Sequence, residues 1–155
     1  MAKLGRDYAV PGESWHSRKT KTQTLRKKCA EEFQEMIRLE SADDDGRMIC
    51  VTCGFVGIVG ENTMDAGHYI GGRSNAVLFT EDPPNCHPQC KRCNKDEGGA
   101  PEAYGQFIIE KYGEEVRDRL KALRYQVVKY YRSDYLAMRA EYRARIKIQK
   151  QRLGH

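Results

Sequence analysis

The chain has 155 residues, 39% hydrophobic and 32% charged, with a formal net charge of +5 and a pI near 8.9. That length suits one domain with appended helices, and so modest an apolar fraction implies a small core that needs a further staple. No apolar run approaches the roughly 18 residues that cross a bilayer and no apolar signal core follows the basic start, which argues against membrane or exported proteins and predicts a cytoplasmic one.

Residues 1–23 carry Pro11, Gly12 and several Ser and Thr without an apolar period, and predict a basic, extended or poorly ordered arm that Trp15 anchors. From Thr24, a candidate cap, the positions Leu25, Cys29, Phe33, Met36 and Ile37 recur at steps of three and four and predict an amphipathic helix to about Glu40. The acidic turn Ser41 to Gly46 ends it. Short β-rich pieces follow at Met48–Val51, Phe55–Val59, Met64–Ile70 and Val77–Thr80, divided by glycine-bearing turns, and Pro83 and Pro84 stop any strand. Beyond Cys90, the residues Tyr104, Phe107, Ile108, Tyr112, Val116, Leu120 and Leu123 keep helical spacing with a break at Gly113, which predicts two helices. A last stripe, Tyr131, Tyr135, Met138, Tyr142 and Ile146, predicts a long C-terminal helix whose aromatic face serves core or dimer packing rather than base stacking. The expected organisation is α+β: an arm over 1–23, a central domain over 24–125 and a basic helical tail over 126–155.

Six cysteines in a reducing compartment point to metal before disulfides. Cys50-Val-Thr-Cys53 and Cys90-Lys-Arg-Cys93 are two C-x-x-C knuckles, each able to aim two thiolates at one tetrahedral Zn²⁺. A structural zinc would tether both ends of the segment between them. Cys29 and Cys86 read as ordinary buried thiols, although Cys86 stands close enough in sequence to compete with Cys90.

Within the clamp lie Met64-Asp65-Ala66-Gly67-His68-Tyr69, then Asn85-Cys86-His87-Pro88-Gln89-Cys90, and Asn94 directly after the last knuckle cysteine. Phosphodiester hydrolysis needs a base to activate water and a divalent cation to stabilise the developing charge. His68 has a side chain suited to the first task, and Asp65 and Asn94 are hard oxygen donors suited to Mg²⁺ or Mn²⁺. A lone histidine is more often structural; its company in one tethered stretch weakens that reading.

These residues resemble the phage NinG (Rap) recombination nucleases, through the string D-A-G-H-Y, L-x-F, N-x-H-x-Q-C-x-x-C-N and a following glycine-broken helical pair, over about Leu25 to Leu123. The resemblance implies a zinc-stapled ββα-metal (His-Asn-His) core acting as a DNA endonuclease on Holliday junctions and D-loops. It assigns His68 as general base, Asn85 as the residue bracing the loop and Asn94 as metal ligand; His87 belongs to the string with its role open between metal, scissile phosphate and loop backbone. The chain lacks the cysteine-rich N-terminal region of longer members, and reads Lys95-Asp96-Glu97-Gly98-Gly99 where relatives usually carry a lysine three or four residues past Asn94. The string Cys93-Asn94-x-x-Glu97-Gly98 and the Asp65-to-His68 spacing are similar to phage recombination endonuclease VII, which implies Asp65 as a metal ligand and adds Glu97 as a group on or beside the metal.

Phosphate contacts are expected from Lys91, Arg92 and Lys95 beside the metal site and from Arg73 in the glycine-rich turn, with added affinity from the basic runs Arg18 to Lys28 and Arg139 to Arg152. The expected partners are branched or duplex DNA and a phage or host recombinase, with a homodimer supplying paired sites. The competing expectation is a catalytically silent zinc module that binds branched DNA or recruits a recombinase.

Overall fold

The computed structural model describes residue 12 and residues 14–155, and leaves the side chains of 15 and 17–20 aside. The anchoring role of Trp15, the basic side chains of Arg18 and Lys19, and most of the arm therefore lie outside the described residues. The first helix, α1, runs Trp15–Ser41 and starts nine residues before the predicted Thr24. Residues 15–23 contain neither Pro nor Gly, and a helix already nucleated further on propagates through such residues without an apolar stripe, which is why periodicity missed this portion. Thr24 accordingly lies inside the helix rather than at its N-terminus.

Two small antiparallel sheets follow. Strand β1 (Arg47–Ile49) pairs with β2 (Val56–Ile58), and β3 (Met64–His68) pairs with β4 (Cys86–Cys90) in a register that sets Asp65 opposite Gln89, Gly67 opposite His87 and His68 opposite Cys86. The predicted strand at Val77–Thr80 is instead the end of a short helix, α2 (Asn75–Leu78), inside the long β3–β4 connection. Strand β4 is not among the expected β-rich pieces. Its five residues are buried without alternation, because helices cover the hairpin on both sides and a strand so placed shows no period-two pattern.

After β4 the backbone makes one π-helical turn, α3 (Arg92–Asp96), and then α4 (Pro101–Tyr112), α5 (Glu114–Leu123) and α6 (Arg132–Arg152). The break between α4 and α5 falls at Gly113, whose φ of 96° belongs to the region that favours glycine. Helices α1 and α6 pack along one side of the hairpin, burying Cys29, Phe33, Met36, Tyr135, Tyr142 and Ile146 with Ala66 and Cys86. Helices α4 and α5 close the other side around Ile70, Val77, Tyr104, Ile108, Leu120 and Leu123. Much of the C-terminal aromatic stripe is thus buried inside the chain, the core alternative of the two expected for it.

Five basic residues of α6 are also engaged. Arg139 forms a two-pronged pair with Glu32 (2.8 and 2.9 Å), Arg143 joins the same carboxylate (2.7 Å), Arg145 clamps Glu40 and Glu81, Lys150 meets Glu35 and Arg152 meets Asp44. Arg152 also donates to the carbonyls of Leu39 and Ala42 at the end of α1. These five cations hold α1 and α6 side by side, and a guanidinium already sharing a carboxylate is a weaker phosphate ligand.

Candidate active site

The knuckles come together as their spacing predicts. Cys50 follows β1, Cys53 lies in the β1–β2 turn, Cys90 ends β4 and Cys93 lies on α3, and their four sulfurs all fall within 4.8 Å of one another. A tetrahedron with metal–sulfur bonds of about 2.3 Å has edges near ~3.8 Å, and Cys53 and Cys90 stand 3.7 Å apart. This cage fits a structural zinc. Gln89 donates from Nε2 to the Thr52 hydroxyl (3.2 Å), which in turn lies 3.2 Å from the Cys50 sulfur. Burial works against a thiolate at Cys50, yet the Thr52 hydroxyl and nearby backbone amides bring its pKa down to about 6. Cys86 and Cys29 stay outside the cage as buried thiols; burial pushes both up, Cys29 to about 11.

Beside the cage, β3 and its surroundings form a polar cleft of about 480 Å³ lined by Asp65, Ala66, His68, Asn94 and Lys95, by the glycine pairs Gly71–Gly72 and Gly98–Gly99, and by Gln34 from α1. Asp65 accepts from Asn94 Nδ2 (3.0 Å) and Lys91 Nζ (3.1 Å), with Lys95 Nζ at 3.8 Å. Burial raises its carboxyl, but those hydrogen bonds and the two lysine charges win and hold it below the ordinary carboxylate range. Gly67 makes this approach feasible: a Cβ there would collide with Gln89 Oε1 and reach within 3.2 Å of Asn94 Oδ1.

His68 closes the cleft from the other end. Its Nε2 stands 3.0 Å from the Leu78 carbonyl, an acceptor only, so Nε2 carries the proton and Nδ1 keeps its lone pair, 4.0 Å from the Cys86 sulfur. Burial lowers its pKa below the usual histidine value, outweighing the Leu78 carbonyl, so the ring is neutral at neutral pH. Phe33 of α1 stacks on it at 6.4 Å. Asn85 is fully buried and braces the connecting loop: Oδ1 accepts from Ile70 N–H (2.8 Å), and Nδ2 donates to the carbonyls of Ile70 (3.1 Å) and Val77 (2.8 Å).

His87 points to the opposite side of the hairpin and lines no part of the cleft. Its Nδ1 lies 3.0 Å from Tyr104 Oη and its Nε2 2.9 Å from Tyr112 Oη. Because Tyr104 donates to the Gly67 carbonyl (2.7 Å), its oxygen must accept from His87 Nδ1–H, and Nε2 then accepts from Tyr112. One directed chain of donors runs from Tyr112 through His87 and Tyr104 to the residue before His68. Contact of His87 with metal or phosphate is thereby corrected to a supporting role. Glu97 likewise leaves the cleft, as an exposed side chain paired with Arg92 (3.2 Å). Arg73 is exposed beside Gly72, while Lys91 and Lys95 turn toward Asp65.

Sequence reasoning missed Gln34, Asn75, Tyr104 and Tyr112. The tyrosines were read as core spacing, and nothing local marks Asn75, which binds Arg26 Nε, Tyr135 Oη and the Val128 carbonyl.

Fold and site define a small α+β protein built on a four-cysteine metal cage with an Asp-His-Asn cleft at its side. The sequence model of the family described as Bacteriophage Lambda NinG protein matches residues 11–152, and the chain belongs to that phage recombination-associated family. The match extends past the motif region into α6. No curated protein and no solved structure matches the chain. Among the described residues no helix is long and apolar enough to cross a membrane.

Proposed function

We propose that this protein is a metal-dependent, structure-selective endodeoxyribonuclease acting on branched recombination intermediates such as Holliday junctions and D-loops. The observation that carries the reading is that Asp65, His68 and Asn94 line one polar cleft directly beside the four-cysteine cage. The order β3, β4, α3 with Asn94 on the helical turn supports a ββα-metal core. The Asp65 carboxylate and the Asn94 amide oxygen are the hard donors that would hold Mg²⁺ or Mn²⁺, which when bound supplies charge stabilisation at the phosphate and the leaving oxygen. His68 takes the proton of the attacking water at Nδ1, since Leu78 fixes the tautomer and burial keeps the ring uncharged. Asn85 holds the loop that supplies Leu78, and Lys91, Arg92, Lys95 and Arg73 are the phosphate contacts nearest the cleft.

A second reading, a catalytically silent module that binds branched DNA or a recombinase, draws support from the same carboxylate. Asp65 is already satisfied by Lys91, Lys95 and Asn94, as a purely structural group would be. The deciding experiment incubates the purified zinc-loaded protein with a four-way junction and a matched linear duplex in Mg²⁺ or Mn²⁺. Junction-selective nicking is expected, falling by about 10²–10⁴-fold in His68→Ala. Wild-type protein that binds the junction but cuts nothing with any divalent ion establishes the silent module instead.

A further inference from the structure

Residues 124–132 read Arg-Tyr-Gln-Val-Val-Lys-Tyr-Tyr-Arg, with three cations, three tyrosines and no carboxylate. They join α5 to α6, whose first residue is Arg132, and between the turn at Arg124–Tyr125 and that residue they form neither helix nor strand. The segment is nevertheless fixed in place. Asn75 Nδ2 donates to the Val128 carbonyl (3.0 Å), and the Tyr130 ring packs on Phe79 and Tyr135 at 6.1 and 5.8 Å. What this anchoring leaves outside is unusual for a connection: Tyr125 is 84% exposed and Val127 95%. Lys129 is exposed beside them with its ammonium 5.1 Å from the Tyr131 ring. Among the described residues neither Arg124 nor Lys129 meets a carboxylate, whereas five cations of α6 do.

Position adds to composition. Asn75, which holds Val128, stands three positions after Gly72 on the rim of the cleft, and Arg26 ties the same asparagine and the Arg73 carbonyl to α1. The rim and the exposed segment are therefore linked through one side chain. We infer that residues 124–132 form a docking strip for an unpaired DNA strand, with Tyr125 as the stacking platform, Val127 as an apolar contact, and Arg124 and Lys129 on the phosphates. Aromatic faces accept any base and cations track the backbone, so such a strip recognises single-stranded character rather than sequence. A peptide partner fits less well, since the segment carries three cations and no carboxylate of its own, with the neighbouring Asp134 turned onto the Tyr131 N–H, and such a segment favours a polyanion. The strip rests on the nuclease reading and would give it selectivity for D-loops and forks, which offer unpaired nucleotides near the cut where linear duplex does not.

The test measures affinity for oligothymidylate, for a forked duplex with a thymidine arm and for linear duplex, in a His68→Ala background that binds without cutting. Tyr125→Ala combined with Val127→Ala is expected to weaken the oligothymidylate and forked DNA by on the order of tenfold and the linear duplex far less, with an unchanged melting temperature. Thymidines replaced by 5-iododeoxyuridine should photocrosslink to Tyr125. Equal oligothymidylate affinity in parent and double variant overturns the strip, including the case in which the variant loses a protein partner instead. Wild-type protein that cuts the junction while the double variant still holds the arm sinks only this inference; wild type that neither binds nor cuts any DNA sinks the nuclease reading with it.

Discussion

The β3–β4 hairpin presents one histidine to each of its sides, at neighbouring register positions, and the two rings end in different circumstances. Burial denies the charge to both: the His68 pKa is lowered, and that of His87 falls to about 4, chiefly by burial and further by the Lys111 charge. The difference is in how many nitrogens remain. His87 has Tyr104 on one and Tyr112 on the other, so it can neither take nor give a proton without breaking the chain. His68 has Nε2 committed to the Leu78 carbonyl, only a long 4.0 Å contact with the Cys86 sulfur at Nδ1, and a side chain that lines a polar cleft. Protonation state is set by the environment as a whole, and chemical usefulness by whether a lone pair is left facing space that a substrate can enter.

The largest perturbation breaks both sides at once. Cys93→Ser removes a ligand from the cage that ties α3 to the β1–β2 turn, and with structural zinc worth on the order of 10 kcal/mol the hairpin should lose its fold. Metal analysis and circular dichroism are expected to show zinc and structure vanishing together, whereas Cys29→Ser, on α1 and outside the cage, keeps both. Full zinc stoichiometry in a folded Cys93→Ser protein contradicts the cage. Next comes a change confined to the cleft side. Asn85→Ala deletes three buried hydrogen bonds to Ile70 and Val77, each with a net value of about 1 kcal/mol, so roughly 3 kcal/mol of stability should go. Denaturant unfolding measures it. Asn85→Asp keeps the acceptor but sets a charge against two carbonyls, and is expected to be at least as damaging; a neutral outcome for both would remove Asn85 as the brace of the loop that carries Leu78.

What could be read in advance follows the range of each interaction. The cage was legible because a C-x-x-C knuckle is a local geometry, and the break at Gly113 because one residue suffices to mark it. The bracing role of Asn85 and the cleft position of His68 and Asn94 came with a motif string. Helix α2 and strand β4 were misread since short buried pieces show no period, and the first turns of α1 because they carry no apolar stripe. The fate of the α6 cations was out of reach for another reason: Arg145 meets Glu40 across 105 positions of sequence, and local charge patterning cannot reveal a pairing made only by tertiary packing. The motif leaves the role of His87 open between metal, phosphate and loop backbone, and register sends it to the other side, where the hydroxyls of Tyr104 and Tyr112 hold it.

The smallest effect isolates that other side. In the folded chain His87 is neutral and releases its proton at a pKa of about 4, while an unfolded histidine does so near ~6.5. Between these values the unfolded chain binds the extra proton, so stability is complete above about pH 6.5 and is lost as pH falls toward 4, by about 2 kcal/mol at pH 5 from this residue alone. The zinc thiolates and His68 also lose stability in acid, so the wild-type curve is a sum. His87→Gln can keep bonds to both tyrosine hydroxyls without a titrating ring, and subtracting its denaturation profile from that of wild type cancels the shared contributions. The variant should be somewhat less stable at pH 7.5, because an amide fills the site less well, and should lose its deficit or reverse it by pH 5. Parallel profiles across that interval would mean that His87 is hydrated in solution and does not lock the far side of the hairpin. Nicking offers an independent check, since it should track protonation of His68 and keep the same pH dependence in this variant wherever both proteins remain folded.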